Sequence, residues 1–559
     1  MVVSTANQLS TTYTLWKRFT FPSDSGPRDA VAVPAYVGDK LNSAYALIID
    51  MAVANVIYII FGLVLFAYMN RAGKFGPGSK ARNTWTMKND LPNLMIETIV
   101  SSTKHDWTSP KITLLLFAFL AVFAGQKATG VLVPPLLILN NSAPVDPQAI
   151  YVPDRSNTND ATSASLFPLE VPRALRALGS TVSEELRYRV NVSDSISLGQ
   201  TDNGEEILRI DYSYHATGAD FGLQKFPELT LNVDGSCVTD YSWWQFTETA
   251  DYNTKQVAVD TYYRFGNESL PWLASLFDGR APIANFFLNK VAAGTLPTSN
   301  STWGAIVSSV NRTSFTAGTD PWYFTVAGSN SLTTASYSVL RARPALSCWE
   351  DNVWSYKGQN TTVDGLNSTV VPGLDLPSSL QEVLQSTLGS PMIQIVGQHL
   401  QSSALLSSTT ASGEAFDAGS SSVHDDLERL VQAAYVATVN CLTDLTLYKA
   451  GANDIVSNIA RGASGQAKEG VSDFVVWSPE VTTLSTLVII VVPSVFVGTW
   501  LLNFVLLYWT PVRRVNDLAE GEPEKAGKDS TENQLGTDPN PATPIDVEAG
   551  QGVGKKEQQ

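Results

Sequence analysis

Five carboxylates fall close together near the middle of the chain: Asp211, Asp234, Asp240, Glu248 and Asp251. Glycoside hydrolysis needs only two carboxyl groups at the right separation. Beside them stand Tyr241, Trp243, Trp244, Tyr262, Tyr263 and Trp272, aromatic faces suited to stacking on the apolar face of a pyranose. Both sets have a plainer use. Acids on a β domain make its solvated face, and aromatics that alternate along strands pack into its core, which is the preferred reading of these. Other catalytic chemistry lacks a signature. There is no Gly-x-Ser-x-Gly nucleophile turn and no phosphate-cradling Gly-x-x-x-x-Gly-Lys-Ser/Thr. No catalytic residue, cofactor or metal is therefore assigned: the four histidines (His105, His215, His399, His424) are scattered and no CxxC occurs.

Acceptors for N-linked glycans are better marked. Asn140, Asn191, Asn267, Asn300, Asn311, Asn360 and Asn367 each begin an Asn-x-Ser/Thr triplet without proline in the middle. All seven lie in one long polar block, from Asn140 to about Glu480, that also holds all three cysteines. Cys237 and Cys348 sit in strand-like sequence beside aromatics and are the expected disulfide. Closing so long a loop stabilises by roughly 4 to 5 kcal/mol in the chain-entropy model. Cys441 falls on the apolar face of a helical stretch, where a buried free thiol is the default; a bridge through Cys441, within or between chains, stays open.

The elements that position this block are apolar. Residues 44–69 and 481–509 are long enough to cross a bilayer as helices, and 111–133 is a weaker third span broken by Gly125-Gln126-Lys127. Residues 1–43 are mixed and polar with no signal-peptide pattern, so the first span is expected to target and anchor together. Residues 70–110 carry Arg71, Lys74, Lys80, Arg82, Lys88 and Lys104, which places that loop in the cytoplasm, and Arg513-Arg514 does the same for the end of the third span. The N-terminal segment and the polar block are then extracytoplasmic. Residues 510–559, with ten acids, six bases and much Pro and Gly, read as a disordered cytoplasmic tail. Asp50 and Lys127 both fall roughly 9 Å from the outer ends of spans one and two at helical rise. An ion pair between the two helices is one expectation; separate snorkelling to the headgroups is the other.

Within the block, 140–372 alternates apolar and polar residues in short runs, as in Leu208, Ile210, Tyr212 and Tyr214, and predicts antiparallel sheet. Sandwich and barrel are not distinguished. From 373 to 480 the period becomes helical, with a cap expected at Ser422 and a flexible Ser/Thr-rich loop at 407–422. The fold class expected is a three-span α-helical membrane anchor carrying a large α+β, mainly antiparallel-β ectodomain.

Ala143-Pro144-Val145-Asp146-Pro147 with Tyr151-Val152-Pro153, and Leu346-Ser347-Cys348-Trp349-Glu350-Asp351-Asn352-Val353-Trp354, resemble segments of large, uncharacterised membrane glycoproteins of filamentous fungi. The resemblance implies a fungal secretory-pathway protein and carries no activity. A net charge of −16 argues against a nucleic-acid partner. The expected partners are the lipid bilayer, N-linked glycans and an extracellular or lumenal ligand, with a homo-oligomer open. The best functional class is a non-enzymatic binding or sensing glycoprotein, expected at the cell membrane. The alternatives are a carbohydrate-active ectoenzyme and an accessory membrane protein supporting a biosynthetic or trafficking pathway.

Overall fold

A computed structural model of the chain describes residues 11–23, 25–72, 121, 124–128, 132, 134–155, 160–181, 188–252, 255–275, 283–289, 300–308, 312–328, 336–412, 415–448 and 456–509. Nearly all of the basic loop 70–110, most of the expected span 111–133, the tail 510–559 and the acceptor Asn311 lie outside the described residues. The chain divides into two units, Met1–Ile57 with Met95–Trp500, and Tyr58–Leu94 with Leu501–Gln559. In the second unit only the inner parts of two apolar helices are described.

The first unit is built on an eight-stranded, wholly antiparallel sheet. Its order is Ile283–Leu288, Asn300–Ser308, Ala345–Tyr356, Thr230–Asp240, Glu206–Thr217, Val190–Val192, with Gln359–Thr361 and Ile196–Gln200 added alongside. Period-two alternation decides its faces. Leu208, Ile210, Tyr212, Tyr214 and Ala216 are buried on one side, joined by Leu231, Val233, Cys237, Trp303, Leu346, Cys348 and Trp354. Cys237 and Cys348 are directly opposite in the register and are joined by a disulfide. Cys441 is buried and free, and burial pushes its thiol up to about 12.

Helices cover that face. Among the described residues the named helices are, in chain order, α1 (Ala35–Ala72), α2 (Asp160–Gly179), α3 (Ser378–Leu388), α4 (Met392–Leu400), α5 (Val423–Val439), α6 (Cys441–Asp444) and α7 (Thr486–Trp509). Helix α5 starts where the sequence predicts: the Ser422 hydroxyl accepts from the Asp425 amide at 3.0 Å. Tyr435 on α5 meets Tyr214 of the sheet edge-on, with ring centroids 5.8 Å apart. Helix α2 falls inside the stretch read as strand. Its buried stripe mixes Leu166, Ala174, Ala177 and Leu178 with Glu170 and Arg173, so hydropathy alone conceals it. Those charges are buried only because they are paired: Arg173 with Asp444 at 3.1 Å, and Glu170 with Arg155 and His399. The expected open loop at 407–422 also differs from the structure. It holds short turns at Ser407–Thr410 and Ala418–Ser420, and buried Phe416 anchors it to the strand Thr313–Ser314.

On the outer face, the strands Trp244–Tyr252, Lys255–Tyr263 and Pro271–Ser275 form a separate sheet. It packs on the large one through Trp243, Tyr262, Ala274, Ile306 and Ala345.

A four-stranded sheet sets the base of the unit, in the order Arg18–Phe21, Arg28–Pro34, Val481–Ser485, Ile138–Asn140. Strand Arg28–Pro34 runs without a break into α1, and Val481–Ser485 runs without a break into α7. The expected span 481–509 is thus shorter: its first five residues are strand, apolar because Val481 and Leu484 are buried in the sheet. The described residues between 11 and 43 contribute two strands, Arg18–Phe21 and Arg28–Pro34, and the first turns of α1. Val37, Leu41 and Tyr45 of α1 pack against Val33, Leu137 and Leu484, and the Tyr45 hydroxyl donates to the Ile489 carbonyl of α7 at 2.9 Å. Among the described residues two helices, α1 and α7, are long and apolar enough to cross a membrane by length and composition. Pro493 sits inside α7 without ending it. Lys127 Nζ lies 2.8 Å from Asp50 Oδ2, and Gln126 Nε2 donates to Asp50 Oδ1 at 3.2 Å.

Gly38 marks where α1 crosses this sheet: a Cβ there would meet the Thr482 Cβ at 2.7 Å. Alanine is about 1 kcal/mol better than glycine in a helix interior. Gly38→Ala should nonetheless lower the thermal midpoint of the purified full-length protein, and Gly38→Val should lower it further, through overpacking of about 1–3 kcal/mol.

Candidate binding cleft

The outer face of the large sheet is exposed where the three-stranded sheet ends. The register sets Thr302 opposite Trp349, Ser347 opposite Val238, and Asp351 opposite Asp234. A cavity of about 580 Å³ opens here, lined among others by Thr201, Asp240, Tyr241, Thr302, Ser347 and Trp349, with Cys348 of the disulfide in its wall. It is an open depression rather than an enclosed pocket. Trp349 is 43% exposed, unusual for an indole and available for stacking. Asp240 accepts from the Ser242 amide at 2.9 Å and caps the turn Tyr241–Trp243. That turn sends Trp243 into the core, where it packs on Phe265 with ring centroids 4.7 Å apart, and leaves Tyr241 beside the cavity. The Tyr241 hydroxyl donates to the Glu206 carbonyl at 3.2 Å, and burial together with Glu205 pushes its phenol up to about 12.

The residues singled out from the sequence do not converge. Trp243 and Tyr262 are core residues. Of the five acids only Asp240 lines the cleft. Asp211 pairs with Arg209 at 2.9 Å; Glu248 and Asp251 stand on the three-stranded sheet; Asp234 faces Asp351 across the strands. Among the glycan acceptors, Asn140, Asn191, Asn267 and Asn360 are exposed and Asn367 is half-buried. Asn300 opens its strand opposite Asp351.

Asp351 was missed by sequence reasoning. Burial raises its carboxyl, and the Asp234 carboxylate raises it further. The signal was the alternation Cys348-Trp349-Glu350-Asp351, which sends Trp349 and Asp351 to one face and Cys348 and Glu350 to the other. Beneath the cleft, fully buried Glu350 accepts from Tyr212 Oη at 2.8 Å and Asn352 Nδ2 at 3.0 Å, and Trp303 Nε1 donates to Tyr212 Oη at 3.2 Å. Burial pushes Glu350 up to about 7.

A second buried carboxyl braces the foot of α5. Asp426 accepts from the Tyr323 hydroxyl and from the Ser407 amide at 2.8 Å, and burial pushes it up to about 7. Nearby Asp320 accepts from the Val423 amide at 2.9 Å and is raised by burial to about 6. His424, Asp425 and Glu428, on the first turns of α5, have side-chain ligand atoms within 4.8 Å of one another. His424 is already engaged: its Nε2 donates to the Ser193 carbonyl at 3.1 Å and its Nδ1 faces Asp425 at 3.4 Å.

Residues 171–476 match the model of a family described as a domain of unknown function (DUF8406), more than half of the chain, and the protein belongs to that family. The match begins within α2, covers the large sheet, α3 to α6 and the cleft, and stops before the strand that leads into α7. No curated protein and no solved structure matches the chain.

The raised carboxyls fix the sign of a pH dependence. A carboxyl whose folded pKa lies above its unfolded value binds protons more tightly when folded. The stability it contributes is fully present below about pH 4 and is lost as pH rises towards about 7. The thermal midpoint of the full-length protein should therefore fall by on the order of a few °C between pH 5 and pH 8. Asp426→Asn and Glu350→Gln should each flatten that slope.

Proposed function

We propose that the protein is a multi-pass glycoprotein of the secretory pathway, placed at the cell membrane, that binds or senses a ligand on the extracytoplasmic side and is not an enzyme. One observation carries this reading: strands of a single sheet continue directly into both apolar helices, with no linker between them. A rearrangement of the body is thereby passed to the bilayer as a movement of rods. Residues 111–133 complete the anchor as a third span, returning the chain to strand Ile138–Asn140 of the same sheet. The Asp50–Lys127 contact joins spans one and two, where an unpaired charge would be costly. Exposed Trp477, at the end of a strand near this sheet, suits the headgroup region. The resemblance to fungal membrane glycoproteins agrees with this placement.

In this reading Asp50→Lys and Lys127→Asp each lower the yield and thermal midpoint of the membrane-extracted protein, and the double exchange restores both. Protease added to sealed cells should cleave the polar block and spare residues 510–559, and endoglycosidase should shift the protein's mobility on a gel. A block that resists protease and a mobility that does not change would sink the reading.

The facing pair of Asp234 and Asp351, beside exposed Trp349, favours a carbohydrate-active ectoenzyme as the second reading. It requires turnover of a glycan by the purified full-length protein, with loss of about a hundredfold or more in Asp351→Asn. Binding without turnover leaves the first reading standing.

A further inference from the structure

The first turns of α5 bring His424, Asp425 and Glu428 together, with one ligand atom from each within 4.8 Å of the others. His424 and Glu428 are four residues apart and so share one face of the helix. What the imidazole touches decides its proton. His424 Nε2 lies 3.1 Å from the Ser193 carbonyl, and a carbonyl only accepts, so Nε2 carries the hydrogen. Ser193 is itself fixed on the large sheet: its amide donates to the Asp211 carbonyl at 2.8 Å, and its hydroxyl accepts from the Asp211 amide at 3.0 Å. The neutral ring therefore turns its Nδ1 lone pair towards Asp425 Oδ1, 3.4 Å away. Two acceptors that face one another need a positive centre between them. An N–H···O bond fits poorly, since its usual range ends at about 3.2 Å. Two ligands on a tetrahedral ion with bonds of about 2.0–2.1 Å stand roughly 3.3–3.4 Å apart, which is the spacing found.

We propose that His424, Asp425 and Glu428 bind a divalent transition-metal ion of the zinc type, through Nδ1 of the imidazole and one oxygen of each carboxylate, with water in the fourth position. One nitrogen and two oxygens suit zinc better than calcium or magnesium, which take oxygen ligands. A metal-bound histidine characteristically donates its other ring N–H to a carbonyl or carboxylate, which orients the ring, and the Ser193 carbonyl fills that role here. Glu428 is steadied in the same way, its Oε1 accepting from Gln432 Nε2 at 3.0 Å. The N-terminus of a helix opposes a cation with about half a positive charge. Two ionised carboxylates outweigh it, and Asp320 adds a third nearby: Asp425 is close enough to raise the Asp320 carboxyl. The side chains of His424 and Asp425 are 26% and 46% exposed, so an ion and its water can enter from solvent. Once bound, the ion ties the start of α5, through the His424 ring, to Ser193 at the end of strand Val190–Val192.

The test is a zinc titration of the full-length protein, prepared without a polyhistidine tag and stripped with chelator, against a chromogenic zinc indicator. One ion per chain should bind, and zinc should raise the thermal midpoint. Cobalt in its place should give the strong visible absorption of a four-coordinate ion. His424→Ala, Asp425→Asn and Glu428→Gln should each weaken binding by about tenfold or more and cancel the thermal shift. His215→Ala removes an exposed histidine elsewhere on the large sheet and should change neither. Asp425 and Glu428 are only partly buried, so their amide variants should fold even where His424→Ala does not. Absence of saturable binding at one ion per chain, binding that survives both Asp425→Asn and Glu428→Gln, or an equal loss in His215→Ala overturns the proposal.

Discussion

The strand Val481–Ser485 is held by backbone hydrogen bonds on both sides, to Arg28–Pro34 and to Ile138–Asn140. Every backbone amide and carbonyl buried in such a sheet must be paired, so the three segments cannot slide singly without leaving orphans. That constraint fixes where α1 and α7 begin, because each is the continuation of a strand. It also explains why residues distant in sequence meet here: Ala30 faces Ser485, and the Tyr45 hydroxyl reaches the Ile489 carbonyl. The contact of Gly38 with Thr482 lets α1 lie against the sheet. A helix packed this closely is a rigid extension of the strand that precedes it.

Above this base, the large sheet is a plate with two unlike sides. The inner side is covered by α4 and α5, on which α2 packs, and this layer tolerates charge only in closed sets, as at Arg173, Asp444 and Arg176, or Glu170, Arg155 and His399. Such sets contribute little net stability, yet removing one member leaves a buried charge uncompensated. The Glu350–Tyr212–Trp303 chain does similar work between the inner core and the cleft. The disulfide ties Thr230–Asp240 to its neighbour Ala345–Tyr356 covalently.

The family match covers this plate and its helices rather than the base. In physical terms the two parts answer different demands. The plate must bury a core and present a surface. The base must join that body to apolar helices whose own surfaces stay exposed, as Leu487, Ile490, Val491, Val495 and Val497 do along α7.

Period and composition alone determined the long apolar runs, the alternating strands at 206–217 and 230–240, the helix behind Ser422 and the division between a polar block and its anchors. These are local signals, written in the side chains of contiguous residues. Three things were decided only by tertiary structure. Helix α2 stayed hidden because its buried face carries Glu170 and Arg173, whose partners Arg155, His399 and Asp444 come from elsewhere in the chain. Val481–Ser485 read as membrane span because strand burial and lipid exposure select the same apolar residues. The cleft, finally, exists through register: Thr302 meets Trp349, and Asp351 meets both Asp234 and Asn300, because hydrogen bonds between strands align residues that no spacing in the sequence relates.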